Sequence, residues 1–226
     1  AASWVGKLIM FTTELHPFVM GIFVSVVVGV ALTLPISSAA ICAALGLTGL
    51  AGGAAVAGCC AQMIGFAVMS FKENRWGGIL SQGLGTSMLQ MPNIVKNPKI
   101  WIPSILTSAI TGPISTCIFK MTMNGAAVSS GMGTCGLVGQ IGVITGWFNP
   151  SVQAVNWAVH KAEEAGMAAE QISQISQETL AIHPGFFEWF GLLMVCFILP
   201  GVICWALSLL FRKIGWIKDG DLKLPE

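Results

Sequence analysis

The chain has 226 residues, of which 54% are hydrophobic and only 9% carry a charged side chain. Soluble domains contain about 25% charged residues, so this composition excludes an ordinary soluble domain and predicts an integral membrane protein, which we expect to be all-α. The net charge of +1 gives no support for a nucleic-acid partner.

Four apolar runs are long enough to cross the hydrocarbon core of a bilayer, which is roughly 30 Å thick and needs about 20 helical residues. These predicted transmembrane helices cover residues 18–34, 54–71, 101–121 and 186–211. The third is expected to kink at Gly112-Pro113. Two shorter stretches, 36–50 and 126–147, are rich in glycine and compatible with either a re-entrant or a spanning path.

A short pattern occurs twice in this apolar sequence. Residues 35–38 read Pro-Ile-Ser-Ser and residues 113–116 read Pro-Ile-Ser-Thr, and a Gly-Leu-X-Gly sequence follows each, at 46–49 and 136–139. Paired interruptions at corresponding places in two halves of a transporter point to its binding site. The alternative is that these hydroxyl groups bond to their own helix backbone and ease a proline kink.

The candidate substrate-binding residues are the polar side chains within these interrupted stretches. They are Ser37, Ser38, Thr48, Ser115, Thr116, Thr134 and Gln140. The amide of Gln140 stands out because an uncharged polar group in an apolar run needs hydrogen-bond partners or a ligand. No acid–base pair, nucleophile, metal-ligand spacing or phosphate loop is visible, so we predict no catalytic residue, metal site or cofactor. The cysteines are interpreted as packing residues.

The basic residues predict the orientation in the membrane. The loop 72–100 has four basic residues against Glu73, and the tail after Phe211 carries Arg212 and three lysines. The segment 149–183 instead has one lysine against four glutamates. The positive-inside rule therefore places the loop and the tail in the cytoplasm and the segment outside. The chain then crosses once between 101 and 147, which favours a re-entrant path for 126–147 or its neighbour.

The segment outside the membrane is predicted to be helical at the surface, because Val152, Val155 and Val159 recur at helical spacing. This divides the chain into three parts. They are a membrane core over 1–147, a surface helical segment over 148–183, and a final transmembrane helix with its basic tail over 184–226.

Several sequence blocks together resemble a known family. The blocks cover residues 11–55, 74–103, 112–116 (Gly-Pro-Ile-Ser-Thr) and 131–142 (GMGTCGLVGQIG). They are similar to the EIIC-like membrane proteins of the bacterial phosphotransferase system, and closer to its perfringolysin-regulator subgroup. The resemblance covers about residues 1–147 and corresponds to the C-terminal half of that family's module. We therefore expect either a fragment or a half-length relative that works with a separate N-terminal half.

The resemblance implies a permease of the bacterial cytoplasmic membrane. Such proteins bind a sugar or similar small polar solute and work as homodimers, while phosphocarrier subunits phosphorylate the solute. The resemblance also implies hairpins near 35–53 and 113–139, and about four full transmembrane helices beside them. The Gly-Ile-Thr-Glu-Pro block of glucose-type EIIC proteins and a phosphocarrier segment are both missing. A membrane sensor or regulator that keeps the fold without transport is therefore the alternative function.

Overall fold

The computed structural model describes residues 16–224, apart from the side chain of Glu164. Seven helices organise this part of the chain: α1 (Pro17–Thr33), α2 (Ser38–Ala44), α3 (Gly49–Met69), α4 (Pro98–Ile118), α5 (Cys135–Phe148), α6 (Val152–Glu164) and α7 (Phe186–Lys213). Shorter helical turns lie between them, at Phe71–Gly78, Ile79–Gly85, Ser87–Gln90, Met91–Lys96, Ala127–Gly131, Ala169–Ser173 and Gln177–Leu180. The described residues form no β-strand beyond one isolated bridge.

Three helices are long and apolar enough to cross a membrane. They are α3 and α4, with 21 residues each, and α7, with 28 residues. Helix α1 is also apolar but has 17 residues, which span about 25 Å at the usual rise and fall slightly short of the hydrocarbon core. The predicted all-α membrane fold is confirmed, with helices at all four predicted spans.

Contacts between the helices define their directions. Helices α1 and α3 are parallel, because Ser25 packs on Gly58 and the Thr33 hydroxyl reaches the Gln62 side chain at 3.2 Å, further along both helices. The chain between them, 34–48, must therefore return from one face of the protein to the other. It does so through the seven-residue helix α2 and a glycine turn at Gly46.

Helix α4 runs antiparallel to α1 and α3, and α7 runs parallel to α3. The loop 72–100 and the tail 214–224 consequently share one face, which we call the tail face. Residues 119–124 and the segment 148–183, which we call the cap, share the opposite cap face. The charge pattern predicts this same grouping of the three polar segments.

Small residues allow the helices to approach closely. Gly21, Ser25 and Gly29 follow one another at four-residue spacing on one side of α1, which is the small-residue pattern of membrane helix contacts. A Cβ atom at Gly58 would overlap the Ser25 carbonyl, and one at Gly112 would overlap the Gly21 carbonyl. The backbones themselves are therefore in contact where α1 crosses α3 and α4.

A hairpin follows α4 and enters the protein from the cap face. Its two ends meet where Ser151 donates hydrogen bonds to the Asn124 and Gly125 carbonyls, both at 2.8 Å. Its tip reaches the loop 72–100, where the Thr134 hydroxyl donates to the Gly83 carbonyl. Such a path leaves and returns at one face, which is the geometry that the charge count favours for 126–147.

The two Pro-Ile-Ser sequences adopt different local structures. In the first, Ser37 caps α2 by accepting the Ala40 N–H at 3.2 Å. In the second, Pro113 lies inside α4, and the helix continues as a π-helical turn over Ile114–Ile118. Proline removes a backbone donor, and a wider turn is one way in which a membrane helix accommodates that loss. The sequence repeat therefore does not extend to the backbone.

The tail face is closed by ion pairs and amide side chains. Arg212 pairs with Glu73 at 2.8 Å and with Asp219 at 2.9 Å, and Lys72 also reaches Asp219 at 2.7 Å. The hydrogen bond from Lys72 and its charge, together with Arg212, hold the pKa of the Asp219 carboxyl below its usual value. Gln90 donates to the Leu222 carbonyl at 3.0 Å, so the tail is held against the loop 72–100.

Gly58→Ala should lower the stability of the protein, because the added methyl group meets the Ser25 backbone carbonyl rather than a movable side chain. Overpacking of this kind costs about 1–3 kcal/mol. The matched control is Gly77→Ala, since Gly77 is exposed with nothing within 4 Å of its Cβ position. Thermal unfolding in detergent should show a lower midpoint for Gly58→Ala only. Equal midpoints for the two variants would contradict the close crossing of α1 and α3.

Candidate solute-binding site

A short extended segment lies on the cap face. Residues 121–124 lie outside any helix, and Met123 exchanges two backbone hydrogen bonds with Gly49, at 3.0 and 2.9 Å. Successive side chains of an extended backbone point to opposite sides. Met121 and Met123 are accordingly buried in the core, while Thr122 and Asn124 line a cavity beneath the cap. Lys120, which precedes the extended segment, lines the same cavity.

This cap cavity has a volume of about 520 Å³, within the range of small-molecule sites. Helices α1, α3 and α4, the segment 119–124 and the cap all contribute to its walls. The lining residues are His16, Pro17, Gly49, Leu50, Thr116, Cys117, Lys120, Thr122, Asn124, Ala154, Trp157, Ala158 and Leu180. Apolar surface with a few convergent polar groups is typical of sites that bind small polar ligands.

Helix α6 supplies the roof of the cavity through Ala154, Trp157 and Ala158, which share one side of the helix. This is not the valine stripe that the sequence predicts, since Val152 is 65% exposed. Trp157 lies directly over Gly49, where an added Cβ atom would come within 2.5 Å of the indole ring. Gly49 also has φ +62°, a conformation in which glycine is favoured.

Of the seven candidate residues, only Thr116 lines the cap cavity. Its hydroxyl donates to the Pro17 carbonyl at 2.9 Å, so it also joins α4 to the start of α1. Ser38 donates to the Gly131 carbonyl at 2.7 Å, and this bond holds α2 against the hairpin. Thr48 bonds to the Gly46 carbonyl at 3.3 Å.

Two other candidates are buried with a polar atom that lacks a hydrogen-bond partner among the described residues. These atoms are the Ser115 hydroxyl oxygen and the Gln140 side-chain carbonyl oxygen. The Gln140 amide nitrogen has the Cys60 sulfur at 3.3 Å as its partner. A buried polar atom without a partner costs about 1–3 kcal/mol, so both positions are unusual in a membrane interior. Neither residue lines the cap cavity.

A comparison of the sequence with known protein families identifies the family of this chain. The sequence profile of the family described as "Phosphotransferase system, EIIC" matches residues 1–224. The chain belongs to this family. The match extends the resemblance from residues 1–147 through the cap and α7 of the EIIC chain. No curated protein and no solved structure matches the chain.

Sequence reasoning missed most of the cavity of this EIIC chain. Residues 120–124 read Lys-Met-Thr-Met-Asn, an alternation of polar and apolar residues that predicts one buried and one open side. This alternation covers only five residues. It also follows directly on a transmembrane helix, so the sequence there is expected to continue with helical spacing. Trp157 was also missed, because its role depends on Gly49, more than a hundred residues earlier in the chain.

Another missed residue is Gln62, in the middle of α3. Its side-chain oxygen accepts hydrogen bonds from Thr33, from the Trp101 indole and from Ser104 at 2.9–3.2 Å, and its amide donates to Ser108. All of its polar atoms thus have protein partners, so it joins α1, α3 and α4 rather than presenting a group to a solute. Gln62 is also an uncharged amide in an apolar run, so the reasoning that singles out Gln140 from the sequence applies equally to Gln62.

Metal ligation has no support in the described part of the EIIC chain. Residues 16–224 contain no group of three or more His, Cys, Asp or Glu side chains placed to hold a metal ion. The described residues of the cap cavity offer hydroxyl, amide, imidazole, ammonium and thiol groups. They suit hydrogen bonding to a polar solute.

The contact between Gly49 and Trp157 can be tested with paired variants. Gly46→Ala and Gly49→Ala introduce the same backbone strain, because both glycines have positive φ, and that strain costs about 1–2 kcal/mol. Only Gly49→Ala also collides with Trp157, since nothing lies within 4 Å of the Gly46 Cβ position. Thermal unfolding should therefore show a larger loss for Gly49→Ala.

The second substitution Trp157→Ala removes the colliding ring. In that background, the loss for Gly49→Ala should fall to the loss for Gly46→Ala. A difference between the two glycine variants that persists without the ring would contradict the placement of Trp157.

Proposed function

We propose that the chain is the membrane permease of a phosphotransferase system and that it binds a sugar or similar small polar solute in the cap cavity. The family supports a permease. The main support for solute binding is the cap cavity, in which Thr116, Thr122 and Asn124 offer hydrogen-bonding groups beneath the Trp157 ring. An aromatic ring beside polar groups suits a compound with both apolar and hydroxyl faces.

We further propose that the cap face lies outside the cell and the tail face in the cytoplasm of a bacterium. The basic residues of the loop 72–100 and of the tail support this orientation by the positive-inside rule. The cap cavity would then accept solute from outside, and phosphocarrier subunits would act at the tail face. A homodimer and a separately supplied N-terminal half are further proposals that rest on the family resemblance.

The other six candidate residues remain proposed solute contacts at a later stage of transport. They are Ser37, Ser38, Thr48, Ser115, Thr134 and Gln140. Short broken elements are where transporters expose backbone and hydroxyl groups to a solute, and α2 and the hairpin are elements of this kind. The unpartnered atoms of Ser115 and Gln140 support the proposal, because contact with a solute would relieve the cost of their burial.

A membrane sensor that binds the solute without moving it is the second candidate. The missing Gly-Ile-Thr-Glu-Pro block favours it, as does the lack of a carboxylate among the described residues that line the cap cavity. Uptake of labelled solute into proteoliposomes distinguishes the two functions. A permease accumulates or exchanges the solute, whereas a sensor binds it with no uptake.

The cavity can be tested with substitutions that remove polar groups at nearly constant volume. Thr122→Val combined with Asn124→Leu should weaken solute binding at least about tenfold, since an unpaired polar group of a solute loses about 1–3 kcal/mol. Titration calorimetry with a panel of monosaccharides measures the affinity of the purified chain.

The matched control is Thr145→Val, because Thr145 is exposed on α5 and bonds only to carbonyl groups of its own helix. Its affinity should equal that of the unmodified protein. Unchanged affinity in the double variant would exclude the cap cavity as the binding site, and no binding by any monosaccharide would contradict the proposed function.

A further inference from the structure

We propose that the solute of the cap cavity carries an anionic group, as a sugar acid does, and that the ammonium group of Lys120 binds it. This inference rests on the proposed function and names the substrate class of the same site. Three observations support it, and they concern the charge of the cavity, the backbone of Lys120 and the surroundings of its side chain.

Among the described residues that line the cavity, Lys120 has the charged side chain, and none is an aspartate or glutamate. A cation in a cavity wall favours an oxyanion through charge-assisted hydrogen bonds. The wall is therefore complementary to a negatively charged solute.

The backbone of Lys120 is in a conformation that lysine does not favour. Helix α4 ends at Ile118 in a π-helical turn, and the Met121 N–H bonds to the Ser115 carbonyl at 2.9 Å, which closes a turn one residue wider than a Schellman motif. Lys120 takes the position of this turn that glycine usually occupies, with φ +45°. Left-handed backbone costs a residue other than glycine about 1–2 kcal/mol. A side chain that binds a ligand would compensate for this strain.

Lys120 is also available to a ligand. It forms no ion pair with the residues that the structure describes. Glu188 lines a neighbouring cavity of about 220 Å³ together with Lys120. One oxygen of the Glu188 carboxylate already accepts the Gly185 N–H at 2.8 Å, which caps the start of α7.

The strained backbone provides a variant that separates binding from folding. Lys120→Gly removes the charge but relieves the left-handed strain, so its thermal midpoint should equal or exceed that of the unmodified protein. Lys120→Arg keeps the charge and serves as the rescue variant. A loss of binding in Lys120→Gly therefore cannot result from unfolding.

The experiment compares each uronate of glucose, galactose and mannose with its parent hexose, by calorimetry on the full chain in a neutral detergent. We expect one uronate to bind at least about tenfold more tightly than its hexose. Salt should weaken that preference, Lys120→Gly should abolish it, and Lys120→Arg should restore most of it. Hexose affinity is measured in each protein as the reference, so that the preference is the ratio of uronate to hexose affinity within one protein.

The other outcomes overturn the inference in distinguishable ways. A hexose that binds as tightly as its uronate contradicts the anionic substrate class and leaves the proposed function standing. Absence of binding by every hexose and uronate overturns both. Displacement of the uronate by anionic phospholipid, with no effect of neutral phospholipid, would assign Lys120 to a lipid headgroup and also contradict the inference.

Discussion

The pairing of Gly49 with Met123 is the contact on which the arrangement of the cap face depends. Two backbone hydrogen bonds join the start of α3 to the segment that follows α4. Glycines make this approach possible, because a Cβ atom at Gly53 would overlap the Met121 carbonyl. The pairing buries Met121 and Met123 and thereby turns the alternate side chains toward the cap. The position of Trp157 follows from the same contact, since its ring covers the glycine that takes part in the pairing.

The buried polar groups fall into two classes, and the difference bears on mechanism. Gln62 has protein partners for its amide nitrogen and oxygen and fixes the contact of three helices. Ser115 and Gln140 each keep a buried atom without a partner in the described part of the chain. Satisfied networks rigidify a membrane interior, whereas unsatisfied groups favour a change of structure or a ligand. The hydrogen-bonded network of Gln62 would keep α1, α3 and α4 together, while the elements that contain Ser115 and Gln140 could rearrange. Such a combination would suit a protein that moves a solute.

Composition and charge were sufficient to predict the helical membrane fold and the grouping of its polar segments, because both depend on local sequence. The cavity depends on contacts between residues that are far apart, such as Gly49 with Met123 and Trp157, and no local pattern encodes them. The repeated Pro-Ile-Ser sequence shows the limit of motif reasoning. Ser37 caps a short helix while Ser115 lies within a long one, because the flanking residues decide whether a proline begins a helix or interrupts it. Of the seven predicted contacts, Thr116 alone lines the cavity, and all seven stay predictions.

The central claim is that solute occupies the cap cavity, and Cys117 offers the most direct test of it. This cysteine is exposed and lines the cavity, whereas Cys135 lies at the tip of the hairpin near the loop 72–100. The measurement is the rate at which a maleimide labels each cysteine in the purified protein, with and without a bound sugar or sugar acid. Occupation of the cavity predicts that solute slows the labelling of Cys117 and leaves the rate for Cys135 unchanged. An unchanged rate for Cys117 at saturating solute would contradict the account.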